Sequence, residues 1–252
     1  MFAKAIVIPP GKNFSNGIST SGLGIPDYTE SLVQHASYCE ALGRCGLEII
    51  ILKADLAFPD STFVEDTAIV TDSMAIITRP GDQRRRGEEK QIEPVLSAWR
   101  KIERIAAPGC VDGGDILQAG SHFFIGQSGR TNREGADQTR SILSSYGFTS
   151  TIVPVTHILH LKSGVNYIGD ETLILTEELA ERKEFHSFRK IPVPSQERYA
   201  ANCILVNGHL LLPSGFPETR EKLLENGYNI LEIDVSEFRK MDGGLSCLSL
   251  RF

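Results

Sequence analysis

Ala41-Leu42-Gly43-Arg44-Cys45-Gly46 runs directly into Leu47-Glu48-Ile49-Ile50-Ile51-Leu52: a helical tail, a glycine, then an apolar strand. The same order recurs as Ile142-Leu143-Ser144-Ser145-Tyr146-Gly147 before Phe148 to Val155. A third copy is Leu223-Leu224-Glu225-Asn226-Gly227 before Tyr228-Asn229-Ile230-Leu231-Glu232-Ile233. Glycine after the last helical turn accepts a left-handed backbone and so ends a helix. A second pattern surrounds these copies. Short apolar runs flank polar turns at Ala68-Ile69-Val70 and Ala75-Ile76-Ile77, and at Asp115-Ile116-Leu117 and Phe123-Phe124-Ile125. Two more pairs are Asn166-Tyr167-Ile168 with Thr172-Leu173-Ile174-Leu175, and Cys203-Ile204-Leu205-Val206 with Leu210-Leu211-Leu212. Such runs, broken by Gly, Asn, Asp and Ser, read as hairpins. Strand centres after the helices fall near residues 49, 104, 152, 190 and 230. The unit is therefore hairpin, helix, strand, and five units use residues 1–252. A unit this small cannot bury its apolar face alone, so an α/β fold in one closed ring of five ββαβ units is expected, against a generic α/β domain with coincidental spacing. The first helix follows Pro26-Asp27, with Leu32, Val33, Ala36 and Leu42 expected on its buried face.

The composition, 41% hydrophobic and 23% charged, is that of an ordinary globular chain. A net charge of −6 and a pI near 5.6 argue against nucleic acid as a partner. Apolar runs are strand-sized, and Pro9-Pro10 breaks the N-terminal one, so no membrane span or signal peptide is expected and a cytoplasmic enzyme is the default. Five cysteines without a C-x-x-C pair or a histidine at zinc-finger spacing make a structural metal or disulfide framework improbable. Cys39, Cys45, Cys110 and Cys203 read as small buried hydrophobes.

Four segments concentrate polar groups. Phe58-Pro59-Asp60-Ser61-Thr62-Phe63-Val64-Glu65-Asp66 interleaves carboxylates with an aromatic ring, a seat for a planar cation or simply an acidic loop. Val111-Asp112-Gly113-Gly114-Asp115 places paired glycines where backbone can approach a ligand or turn. In His157-Ile158-Leu159-His160-Leu161-Lys162-Ser163-Gly164, an extended chain would put His160 on the face of Ile158 and Lys162. Asp242-Gly243-Gly244-Leu245-Ser246-Cys247 feeds an apolar terminal strand that reads as docked. Each segment opens a hairpin position, and Cys247 opens the fifth. In a ring, all four would meet at the axis.

Asp60 to Asp66, Ile77-Thr78-Arg79-Pro80-Gly81, His160 to Gly164, Tyr199-Ala200-Ala201-Asn202 and Asp242 to Cys247 together resemble the dimethylarginine dimethylaminohydrolase family along essentially the whole chain. That resemblance implies the pentein fold, a five-bladed α/β propeller. It implies a nucleophile at Cys247, a general acid/base at His160, and at Asp112 the acidic residue that orients the histidine and touches substrate. It implies that Glu65 and Asp66 hold the guanidinium, with Asp60 close by and Phe63 against its plane. Arg85 and Arg130 would receive the substrate carboxylate, although the run Arg84-Arg85-Arg86 fixes the first only to within one position. Ile18 and the backbone of Met241 would lie near the α-amino end, Ile18 in a glycine-spaced lid from Gly17 to Gly24. Some relatives carry Glu at the place of Asp112, and others Leu at that of Ile18.

The implied reaction needs no metal or organic cofactor. Cys247 attacks the guanidino carbon, His160 protonates the departing amine, and water activated by His160 hydrolyses an S-alkylthiouronium adduct to citrulline. The partner is a small guanidino molecule, and a homodimer is compatible with the reading. Three alternatives stand beside it: a hydrolase of free arginine or another guanidino compound, like arginine deiminase; an amidinotransferase; and a non-catalytic pentein that binds the ribosome.

Overall fold

The computed structural model describes all residues, Met1–Phe252. Its strands form five three-stranded sheets of one design. In each, a middle strand pairs antiparallel with an inner strand and parallel with an outer strand that follows a helix. In the first sheet, β1 (Lys4–Val7) runs into α1 (Tyr28–Arg44) and then β2 (Glu48–Ile51). The second holds β3 (Ala68–Val70), β4 (Met74–Ile77), α2 (Glu93–Ser97) and β5 (Lys101–Arg104). The third holds β6 (Ile116–Ala119), β7 (His122–Gln127), α3 (Arg133–Ser145) and β8 (Thr149–Pro154). The fourth holds β9 (Val165–Tyr167), β10 (Thr172–Thr176), α4 (Glu177–Ala180) and β11 (Arg189–Val193). The fifth holds β12 (Ile204–Val206), β13 (His209–Pro213), α5 (Pro217–Glu225) and β14 (Asn229–Ile233). This is the pentein arrangement.

The first sheet differs in one respect. Its inner strand is β15 (Leu250–Arg251), drawn from the far end of the sequence, with Ala5 opposite Arg251 and Ile6 opposite Leu250. The ring is thus closed by hydrogen bonds between strands from the two ends of the chain.

The three glycines of the helix–glycine–strand repeat adopt the expected left-handed backbone, with φ of +90° at Gly46, +85° at Gly147 and +83° at Gly227. Middle strands are buried along their length, completely in Met74–Ile77 and Thr172–Thr176 and all but the end residues elsewhere, because helices cover one side and neighbouring sheets the other. Five clusters of buried apolar side chains surround the ring, the largest joining Val7, Tyr38, Leu42, Val206, Phe238 and Leu248 across the closure. At roughly 1.5–3 kcal/mol per buried large apolar side chain, this packing is the main force holding sheet to sheet.

Helix α1 corrects one expectation. Its buried residues are Ser31, Gln34, His35, Tyr38, Ala41 and Leu42, whereas Val33 is 54% exposed and Ala36 also faces out. The polar members of that face are satisfied by distant partners. Gln34 donates to Asp234 and Ser236, and the Tyr38 hydroxyl donates to the Leu245 carbonyl and pairs with Ser249. Asp27 caps the helix by accepting from the Glu30 amide.

Every inner strand is preceded by a short 3-10 turn. These turns span Val64–Thr67, Gly113–Asp115, Leu161–Ser163, Ser195–Ala201 and Leu245–Leu248. The chain enters each blade near the axis, so the turns form a polar ring around it. His160 immediately precedes its turn and lies on no strand, so the extended reading of residues 157–164 does not hold; His157 is exposed.

Candidate active site

One small cavity opens among these turns. Its walls include Asp66 of the first turn with Phe63 just before it, His160 and Leu159 just before the third, and Cys247 of the last with Asp242 and Gly243 ahead of it. Ile18, Asp60, Arg85, Arg130 and Met241 complete it. Asp112 lies directly behind, fully buried, and His160 Nε2 meets its Oδ2 at 3.0 Å.

Local backbone geometry makes this convergence possible. The Gly113–Gly114 pair passes where no side chain fits: a Cβ on Gly113 would lie 2.0 Å from the Glu65 carbonyl oxygen, and one on Gly114 2.7 Å from His160 Nδ1. The Gly114 amide in turn donates to Asp66 Oδ1 at 2.8 Å. The Cys247 turn is pinned by Asn202, whose side chain accepts from the Ser246 amide and donates to its hydroxyl, both at 3.0 Å.

Electrostatics set the protonation states. Burial alone would depress His160, but Asp66, Asp112 and Asp115 outweigh it and lift the imidazole to about 9. Burial would raise Asp66, yet the charges of His160 and Arg85, with hydrogen bonds from Arg85 and the Gly114 amide, hold its carboxyl at about 2. Burial, reinforced by Glu65 and Asp66, pushes the Cys247 thiol up to about 12. At neutral pH the site therefore holds a neutral thiol, an imidazolium and ionised Asp66.

The arginines separate clearly. Arg85 is buried, with Nη1 2.6 Å from Asp66 Oδ2 and Nη2 2.7 Å from Glu88 Oε2. Arg84 is exposed and paired with Asp82, and Arg86 turns to the Pro80 carbonyl. Of the run, Arg85 alone lines the cavity. Arg130 lies 3.7 Å from Asp112 Oδ2. Asp60 accepts the Ile18 amide at both carboxylate oxygens, 3.1 Å each, and burial raises its pKa.

Glu65 is placed differently from Asp66. Its Oε1 meets Lys162 Nζ at 2.7 Å and Arg251 Nη2 at 3.2 Å, and its Oε2 has no partner. It lines a wider cavity of about 490 Å³ at the other end of the axis, not the one that holds Cys247. Asp66, Asp112 and His160 each offer a metal-ligand atom within 4.8 Å of the others. Those groups are already engaged with Arg85, Gly81 and one another.

The sequence reading gave no role to Leu159, Asp242 and Gly243 in the lining, or to Lys162, Arg251 and Asn202 around it, although all but Arg251 lie in motifs quoted above. Asp242 adjoins the quoted Gly-Gly turn, a signal that could have found it. The pairing of Glu65 with Arg251 spans the ring and has no local signature.

Of the segment from Gly17 to Gly24, Ile18 lines the cavity. Ser19 and Ser21 donate to the Lys240 carbonyl at 2.7 and 2.6 Å, and the Thr20 amide donates to Asp242 at 2.5 Å. The enclosed volume is only about 30 Å³.

No protein-family model matches the chain. It is 46% identical to the N(G),N(G)-dimethylarginine dimethylaminohydrolase of Pseudomonas aeruginosa, with 100% of both chains covered. A crystal structure of a cysteine-to-serine variant of that enzyme, complexed with citrulline, superposes with a TM-score of 0.98 over 100% of both chains at 46% identity. A histidine-to-glycine variant of a dimethylarginine dimethylaminohydrolase, carrying an adduct with S-methyl-L-thiocitrulline, matches equally well (TM-score 0.98, 46% identity, both chains covered at 100%). The chain belongs to the dimethylarginine dimethylaminohydrolase family.

Proposed function

We propose that this protein hydrolyses Nω-methylated arginine to citrulline and an alkylamine, through a covalent adduct on Cys247. The observation that carries the reading is the meeting of a thiol, an imidazolium backed by a carboxylate, and an ionised Asp66 in one small cavity. The solved relatives support it: one has a cysteine replaced and citrulline bound, the other a histidine replaced and an adduct formed.

The chemistry follows from the charges. Burial and the carboxylates together hold the Cys247 proton; a bound guanidinium beside Asp66 offsets the carboxylate part, so the thiol releases its proton to solvent and the thiolate forms in the complex and not in the free site. The sulfur attacks the guanidino carbon. His160, already protonated, donates to the departing nitrogen as its C–N bond breaks, and the amine leaves an S-alkylthiouronium on Cys247. The now neutral His160 takes a proton from water, whose oxygen attacks the same carbon. The C–S bond breaks, the leaving sulfur takes the proton of the new hydroxyl group, and citrulline departs, leaving the Cys247 thiol and the His160 imidazolium of the free site. Asp112 keeps the ring oriented through both proton transfers. Arg85 and Arg130 face the carboxylate end, and Ile18 with Met241 the α-amino end.

A substrate of this size needs a site of roughly 300 Å³ or more, so residues 17–24 move to admit it. The latch of serine and threonine contacts to Lys240 and Asp242 is polar and shallow, suited to that motion.

The test is product analysis on purified protein with dimethylarginine, monomethylarginine and arginine in parallel, beside Cys247→Ser. Citrulline from the methylated substrates, absent in the variant, is expected. Turnover of arginine alone would change the substrate, and full activity of Cys247→Ser would overturn the mechanism.

A further inference from the structure

Asp115 lies outside the cavity lining, yet it is fully buried and every polar contact it makes leads to a residue of the site. Its Oδ1 accepts the Leu161 amide at 2.9 Å, the peptide next to His160. Its Oδ2 accepts the Thr131 hydroxyl at 2.7 Å and the Ser128 hydroxyl at 2.6 Å. Thr131 Oγ1 then accepts the Asp112 amide at 3.2 Å, and Ser128 Oγ accepts the Arg130 amide at 2.9 Å. One carboxylate thus ties down the backbone under His160, Asp112 and Arg130, which come from three separate loops.

An interior carboxylate is costly unless fully hydrogen-bonded, and neutral packing would hold three loops together more cheaply. What the carboxylate adds is fixed acceptor geometry: two hydroxyls are forced to donate inward, so their own lone pairs must face the Asp112 and Arg130 amides. The fit is close on the far side too, since a Cβ on Gly126 would lie 2.7 Å from Asp115 Oδ1.

We propose that Asp115 is a positioning residue for the hydrolysis, holding His160 and Asp112 in register through Leu161, Thr131 and Ser128. The inference rests on the proposed methylarginine hydrolysis. Burial raises Asp115 only to about 6, so it is ionised where the enzyme would work. It is also one of three carboxylates acting on the imidazolium, with Asp66 and Asp112; Arg130 lies 3.7 Å from Asp112, and Cys247 lines the same cavity as His160.

Asp115→Asn is nearly isosteric but presents an amide to two hydroxyls whose lone pairs are already in use. A displacement of about 1 Å can cost 10²-fold, so kcat should fall roughly 10- to 100-fold while KM changes far less. With one carboxylate fewer around His160, the alkaline limb of the kcat–pH profile should move to lower pH. The wild type is assayed alongside: no turnover there would sink the methylarginine reading, not this one. An active wild type with Asp115→Asn equal to it, or slowed without any shift of the alkaline limb, would overturn the positioning role. If Asp115→Asn does not fold, Thr131→Val and Thr131→Ser decide. A slow Val variant with activity restored in Ser supports the role, and a Val variant at wild-type kcat refutes it.

Discussion

Gly114→Ala is the substitution whose effect can be worked most directly from the structure. The backbone at Gly114 is not left-handed, so alanine suits its conformation and the consequence comes from the added carbon alone. That carbon would sit 2.7 Å from His160 Nδ1, 2.8 Å from its Cγ and 3.0 Å from Asp66 Oδ1. Ordinary contact begins near 3.4 Å, so the ring must retreat by about 0.7 Å, against Asp112 on its other side. Overpacking of this kind costs about 1–3 kcal/mol, which in a chain of this length lowers Tm by roughly 2–12 °C. Displacing the imidazole by most of an ångström should reduce kcat by roughly 10- to 100-fold. Citrulline release from dimethylarginine, measured well below Tm, reads the second effect, and thermal denaturation the first. A variant that keeps kcat within twofold of wild type would refute the claim that Gly114 is small because His160 needs its place. Gly113→Ala provides the contrast. There the obstacle is the Glu65 carbonyl at 2.0 Å, part of the main chain, so folding should suffer more than turnover of whatever folds.

Alkylation of Cys247 by iodoacetamide in the free enzyme should be slow at neutral pH and climb toward pH 12, following its raised thiol; a plateau below pH 8 would contradict the charge reading. His160 should make stability pH-dependent in a defined direction. Its folded value near 9 exceeds the solution value of 6.5, so its contribution is complete below about 6.5 and is lost as pH rises through 9. Urea midpoints between pH 7 and 10 should then fall more steeply for wild type than for His160→Gln, and parallel curves would count against it. Asn202→Ala leaves the buried Ser246 amide without its acceptor and should cost about 1–3 kcal/mol. It should also slow adduct formation, seen as a smaller amine burst; an unchanged burst would mean that the Cys247 turn holds without Asn202.

The ring was legible because its signals are local. A glycine that ends a helix, and a polar turn between apolar runs, are each written within a few residues, so Gly46, Gly147 and Gly227 could be read without knowing any contact. The buried face of α1 was not legible. Gln34 and Tyr38 look like surface and edge residues until Asp234, Ser236 and Leu245 are brought beside them from the far end of the chain. The same holds at the axis. Nothing near Glu65 announces Lys162 or Arg251, and it is these two cations that draw it away from the cavity lined by its neighbour Asp66. Asp115 was visible as a letter in a motif, but its role depends on hydroxyls at 128 and 131 that only the fold brings within reach.

The pairing of β15 with β1 gives the ring an order of assembly. Ala5 and Arg251 are 246 positions apart (251 − 5), and joining chain segments that distant costs about 5 kcal/mol in loop entropy. Four sheets draw all their strands from neighbouring sequence and can form as the chain leaves the ribosome. The remaining sheet waits for its inner strand, and Cys247 arrives on the same segment. A chain in which this segment has not docked would therefore hold Asp66, Asp112 and His160 without Cys247 beside them, so on the proposed mechanism turnover would report only molecules whose ring has closed.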